Sequence, residues 1–190
     1  MTYLLSDSSG AYGDTPAEQA VPAALELVDK ALSLDDELAE AHGVKGLLLD
    51  YRKETQKEAE VALRRALELN PNLSGASIWL SSLLGAIGEN QQSRELLERV
   101  VERDPMFPAA FNNLVQDYVR TSDFDQADTL ISRATQIVGE NDDVSQALGT
   151  LSLMNGNKAD AVRYLQESYE ANPNGTVVKD WYAFALLDVA

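Results

Sequence analysis

The sequence predicts an all-α solenoid of antiparallel helix pairs, and three observations predict it. The first is a recurring segment: Ala31-Leu-Ser-Leu-Asp-Asp36, Ala66-Leu-Glu-Leu-Asn-Pro71, Val100-Val-Glu-Arg-Asp-Pro105, Ala134-Thr-Gln-Ile-Val-Gly139 and Ser168-Tyr-Glu-Ala-Asn-Pro173. Their last residues stand 35, 34, 34 and 34 apart, a period that fits one helical hairpin and is too long for a heptad. The second is apolar spacing. Ala59, Leu63, Ala66 and Leu67, and again Ala127, Leu130, Ile131 and Ala134, fall on one helical face. The third is punctuation: Asn-Pro, Asp-Pro or Gly closes all but the first of the recurring segments, which ends at Asp35-Asp36. Proline lacks a backbone donor and disfavours helix in its predecessor, and glycine adopts a left-handed cap.

Taken in order, the pattern divides the chain into units of about 1–38, 39–73, 74–107, 108–141 and 142–175, with a partial unit 176–190. In the first unit, residues 1–5 form the stub of a helix and residues 6–16 a polar, glycine-containing connection. Thr15, Pro16 and Glu18 then arrange themselves as N-cap, N1 and N3 of a helix running to Leu34. The one 35-residue interval places an extra residue in the turn around 53–57. Midway through later units, Gly88-Glu-Asn, Thr121-Ser-Asp-Phe-Asp and Asn155-Gly156-Asn157 mark the turn between the first (A) and second (B) helix of each pair. Small residues recur where the two helices cross: Gly46, Ala59, Ala66, Ala127, Ala134, Gly149 and Ala161. Residues 177–190 make one further helix carrying Trp181, Phe184, Ala185 and Leu186, with no polar helix after it. A solenoid end needs such a cover. The expectation is a fragment of a longer protein, or an end that packs on a second copy through Trp181 and Phe184.

Composition removes whole classes of function. The 190 residues contain no cysteine and one histidine, His42. Disulfides, thiolate nucleophiles and Cys-based zinc sites are excluded, and a nucleophile–base pair has almost nothing to draw on. His42 occupies a core position of its helix. Asp123, Asp125 and Asp128 lack the glycine and the distal glutamate of a calcium loop. The expectation is no enzyme, no metal and no cofactor. Net charge is −16, with residues 51–100 neutral and the acid concentrated on both sides of them. That field repels phosphate backbones, so no nucleic-acid partner is expected. The basic cluster Arg52, Lys53, Lys57, Arg64 and Arg65 is interleaved with Glu54, Glu58 and Glu60, the pattern of an ion-paired helix surface. The N-terminus has neither a basic n-region nor an apolar h-region. A cytoplasmic location is favoured, with the periplasm open if the chain belongs to a membrane-anchored regulator.

The period and these residues resemble the tetratricopeptide repeat (TPR) family over roughly residues 20–190. The family's large residue early in helix A corresponds to His42, Ser77, Phe111 and Ser145, of which Phe111 fits well. Its Leu-Gly pair corresponds to Lys45-Gly46, Leu80-Ser81, Leu114-Val115 and Leu148-Gly149. Its later tyrosine corresponds to Tyr118, and its alanine in helix B to Ala24, Ala59, Ser93, Ala127 and Ala161. Trp79 and Trp181 stand two residues beyond the position of the large residue and are expected to compensate in the core. A narrower likeness, strongest before residue 71, is to the TPR tails of bacterial multidomain regulators that carry adenylate-cyclase-like or winged-helix domains.

The resemblance implies a right-handed superhelix of about five and a half repeats that binds a protein or peptide along a concave groove lined by A helices. Carried over by position, the groove residues are Leu47, Tyr51, Ile78, Asn112, Asn113, Gln116, Arg120, Gln146, Thr150 and Met154. Asn112, Asn113 and Gln116 form the best-defined patch, since side-chain amides pair with a peptide backbone. The clamp by which some TPR domains hold a C-terminal carboxylate is not expected, because only Asn113 matches it. Two other roles fit the same fold: a regulatory segment of a signalling or transcription protein, and a self-associating scaffold.

Overall fold

The computed structural model describes residues 17–189 apart from 106, 140, 174 and 175. The expected helix stub at 1–5, the connection at 6–16 and the Thr15 cap lie outside the described residues. Ten α-helices, and no strand, occur among the described residues: α1 (Ala17–Leu34), α2 (Ala39–Asp50), α3 (Gln56–Leu69), α4 (Ser74–Ala86), α5 (Asn90–Arg103), α6 (Pro108–Arg120), α7 (Phe124–Val138), α8 (Asp142–Met154), α9 (Lys158–Ala171) and α10 (Thr176–Val189). The even-numbered helices start 35, 34, 34 and 34 residues apart. The chain forms two compact units, Met1–Leu96 and Leu97–Ala190. In the first, α2 packs on α3 and on α4; in the second, α6 packs on α7 and α8, and α8 on α9 and α10. Within the units, α2, α6 and α8 thus each meet their own B helix and the next A helix. This is an all-α helical solenoid.

Local chemistry explains the joints. Between one hairpin and the next, Asp35 and Asn70 each accept a hydrogen bond from the backbone N–H two residues on, at 3.0 Å. These Asx turns end a B helix and aim the chain at the next A helix. Leu38, Leu73 and Phe107 then hold the N-cap positions without a side-chain cap, their carbonyls accepting from His42, Ser77 and Phe111. Asn141 is different. Its side chain accepts from the Val144 N–H at 2.9 Å and caps α8. Gly139, expected to close α7 with a left-handed cap, has φ 76° and ψ −166°. That is the extended mirror-image region, reached by glycine alone.

The three later A–B turns repeat one another bond for bond. The N–H of Glu89, Asp123 and Asn157 donates to the carbonyl of Leu84, Tyr118 and Ser152, each at 2.8 Å. The N–H of Gly88, Ser122 and Gly156 donates to Gly85, Val119 and Leu153 at 3.1–3.2 Å. This paired pattern is the Schellman motif, which needs positive φ at its pivot. The pivots have φ 91°, 62° and 79°, and one of them is a serine. A serine Cβ is strained there, so Ser122→Gly is expected to stabilise the protein by about 0.5 kcal/mol, after the entropy lost by glycine. Gly156→Ala should destabilise it by about 1 kcal/mol. Urea unfolding followed by far-ultraviolet circular dichroism reads both. Where the interval is 35 residues, a 3-10 turn at Lys53–Thr55 replaces the motif, and the Thr55 hydroxyl bonds the Leu49 and Arg52 carbonyls.

The core sits at the helix crossings. Ala59, Ala66, Ala127, Ala134 and Ala161 are fully buried, as are Leu63 and Leu165. Removing a leucine side chain from water contributes roughly 2 kcal/mol. Where the repeat's alanine is Ser93, its hydroxyl donates to the Ser81 carbonyl at 2.7 Å, so the replacement leaves no unpaired polar atom. Trp79 packs against the α3–α4 core and Trp181 against the α9–α10 core, both half-buried. On the outer face of α3, Arg64 pairs with Glu60 at 2.8 Å and Arg65 with Glu68 at 3.2 Å. Both pairs are exposed and worth only about 0.5 kcal/mol each.

Candidate functional site

The second unit gathers several of the expected residues in one cleft. Phe107 ends the preceding loop and Pro108 opens α6, whose fixed φ suits the first helical turn. One face of α6 buries Phe111, Leu114, Val115 and Tyr118. The other side is thereby left to Asn112, Asn113 and Gln116, of which Gln116 is exposed and the two asparagines half-buried. The Asn141 cap fixes the start of α8, so Asp142 and Asp143 in its first turn and Gln146 one turn on face the amides of α6. The Asn112 amide donates to Asp143 at 3.0 Å and ties the two helices together. Asn172 and Val178 complete a cleft of about 370 Å³. Asn113, Gln116 and Gln146 have no side-chain hydrogen bond among the described residues.

This arrangement suits a peptide backbone with a cationic group. Three side-chain amides each offer donors and an acceptor, and two carboxylates supply negative charge. Asp142 and Asp143 were not singled out by the repeat positions. The signal was present as two acids after an N-cap asparagine, one helical turn before Gln146.

The other expected groove residues are distributed differently. Arg120 lies on α6 with its guanidinium paired to Asp117. Met154 is exposed at the end of α8. Thr150 is buried and donates its hydroxyl to the Gln146 carbonyl at 3.0 Å, so it offers no ligand contact on the surface. In the first unit, Leu47 is half-buried and Tyr51 exposed, whereas Ile78 is 8% exposed and belongs to the core. Its helix is apolar almost all round, with Ala76, Ser77, Leu80, Ser81, Leu83 and Leu84 also buried. On α10, Phe184 is 56% exposed while Trp181 packs inward. Among the described residues no group of three or more His, Cys, Asp or Glu side chains is placed to hold a metal ion, and no helix is long and apolar enough to cross a membrane.

No protein-family profile matches the chain. It is 26% identical over 136 residues to lipopolysaccharide assembly protein B of Haemophilus influenzae, covering 71% of this chain and 34% of that protein, so it spans about a third of that relative's length. The fold is that of tetratricopeptide repeat proteins. A tetratricopeptide repeat protein from Parabacteroides merdae superimposes with a TM-score of 0.71 at 14% identity, covering 90% of this chain and 67% of the other. YrrB, described as a TPR protein with an unusual peptide-binding site, gives 0.60 at 21% identity, covering 86% and 84%. Human IFIT1, as a dimer with m7Gppp-AAAA, gives 0.67 at 18% identity, covering 94% and 43%. The fold therefore serves more than one kind of ligand.

Proposed function

We propose that this chain is a non-catalytic interaction module that holds a peptide segment of a partner protein on the α6–α8 face. The observation that carries the reading is the convergence of Asn112, Asn113, Gln116 and Gln146 with Asp142 and Asp143 in one open cleft. The amides take the peptide main chain, and the carboxylates favour a Lys or Arg side chain on the ligand. The net charge of −16 adds attraction for a basic partner and repulsion for RNA, which supports a protein ligand over the kind of ligand bound by IFIT1.

The test is a comparison of wild type with Asn112→Ala/Asn113→Ala/Gln116→Ala in a lysate pull-down, followed by titration of the retained partner's peptides. The triple variant should weaken binding at least tenfold, about 1.4 kcal/mol, with stability lowered only by about the 1 kcal/mol of the lost Asn112–Asp143 bond. Binding equal to wild type would remove the site from this face. A second reading, self-association through α10, draws on exposed Phe184 and Leu187. Sedimentation of wild type beside Phe184→Glu tests it, and a concentration-independent monomer mass would exclude it. Either reading is compatible with a place in a longer regulator.

A further inference from the structure

The first unit contains a cleft that the repeat would otherwise fill. At the helix A position where later repeats carry Leu80, Leu114 and Leu148, α2 carries Lys45. At the helix B position of Leu96, Leu130 and Tyr164, α3 carries Ala62. Leu114 and Leu130, the leucines of the corresponding seam in the second unit, are both buried. The two departures fall on the same seam, where an open cleft of about 460 Å³ lies between α2 and α3. At the corresponding seam of the second unit, Leu114, Tyr118 and Leu130, together with Glu98, Val101 and Glu102 of α5, border a smaller depression of about 260 Å³.

The walls of this cavity are apolar and its rim is basic. Leu49, Val61 and Ala62 line it. Val61 is 70% exposed, at a position where the other B helices carry Glu95, Thr129 and Arg163. Around it stand His42, Lys45, Lys57 and Arg65, with Glu58 the one acid lining it. Lys45 also pairs with Asp29 of α1 at 2.7 Å and Arg65 with Glu68 at 3.2 Å. Both are exposed pairs that exchange partners at little cost. Lys57 has no ion pair among the described residues. In a chain with 31 acidic and 15 basic residues, a basic rim around an apolar hollow is the local exception.

We infer that the α2–α3 cleft is a second docking site, which takes an acidic peptide segment by burying one bulky apolar side chain flanked by carboxylates. The apolar side chain fills the volume that the repeat's leucines occupy elsewhere, and its neighbouring carboxylates meet Lys57, Arg65 and Lys45. Charge complementarity selects this occupant: a basic or neutral peptide gains nothing at that rim. The inference rests on the chain being an interaction module and is independent of the amide patch on α6.

Ala62→Leu is the discriminating variant, because it restores the repeat's own side chain and removes the hollow. Random dodecapeptides displayed on phage are selected against the full chain, and enriched sequences are synthesised and titrated by fluorescence polarisation against wild type, Ala62→Leu and Lys57→Glu/Arg65→Glu. The expected result is a class with Leu, Ile, Phe or Trp beside Asp or Glu that loses at least tenfold in affinity with either variant. The Ala62→Leu melting midpoint should stand at or above wild type, which separates a filled site from a lost fold. If no enriched peptide distinguishes wild type from Ala62→Leu, or if those that do are neutral or basic, the inference is overturned. Peptides sensitive only to Asn112→Ala/Asn113→Ala/Gln116→Ala report on the other face, so the two sites fail separately.

Discussion

Gly46→Val should cost the first unit about 3 kcal/mol, at the upper end of overpacking penalties. A Cβ at residue 46 would stand 2.4 Å from Leu63 Cγ, 2.9 Å from Leu63 Cδ2 and 3.0 Å from the Ala59 carbonyl. Leu63 is fully buried and cannot swing away, and the carbonyl belongs to the helix backbone. Any side chain at position 46 must therefore push α2 and α3 apart, and valine adds two branches at the point of contact. Gly43 provides the control on the same helix. Its nearest neighbours to an added Cβ are at 3.5 Å, ordinary contact, so Gly43→Ala should be neutral or gain up to about 1 kcal/mol from helix propensity. Urea unfolding of both variants decides the matter. A wild-type midpoint for Gly46→Val would mean that the crossing does not set the helix spacing.

Phe111→Ala should destabilise the second unit by about 3–5 kcal/mol, the usual cost of deleting a fully buried aromatic ring. Phe111 is 0% exposed and the largest of the fully buried side chains. It stands on the inner face of α6 beside Ala110, Leu114 and Val115. Its loss has a second effect, since Asn112 and Asn113 are the next two residues and keep their direction only while the inner face is packed. Peptide binding by the amide patch should fall along with stability, whereas the triple amide variant should lose binding with only the small stability change of the Asn112–Asp143 bond. A differential-scanning measurement paired with the binding titration separates the two. A Phe111→Ala variant that melts near wild type would show that α6 can repack around the void.

Much of this architecture was legible because a solenoid writes its contacts locally. Small residues at 46, 59, 66, 127, 134, 149 and 161 marked helix crossings because only small side chains permit that approach, and all seven are buried. The A–B turns were legible at Gly88 and Gly156, where φ must be positive. What the sequence concealed concerns the faces of helices. Ile78 and Thr150 occupy positions that face a ligand in an idealised repeat. Burial follows the neighbours, however: α4 is apolar on nearly every side, and Thr150 turns its hydroxyl onto its own helix. Asp142 and Asp143 escaped for the opposite reason, because acids in a first helical turn have a sufficient explanation in the helix dipole. The hollow beside Lys45 was half visible as a lysine in place of the Leu of the Leu-Gly pair. Its other half, Ala62, is unremarkable until it is set beside Leu96 and Leu130.

The 3-10 turn at Lys53–Thr55 gives the chain one joint unlike its others. The three later A–B turns each depend on a positive-φ pivot and a fixed pair of backbone bonds, so an inserted residue there would abolish the turn. The joint at 53–55 already holds an added residue and needs no left-handed pivot, and Tyr51, Arg52, Lys53 and Glu54 are all exposed. Extra length at such a place costs only loop closure, about 0.6 kcal/mol for each doubling. Because stacked repeats touch only their neighbours, nothing downstream has to be re-phased. The molecule therefore has a natural graft point, where a tag, a protease site or a newly acquired loop can be carried while the later units keep their register.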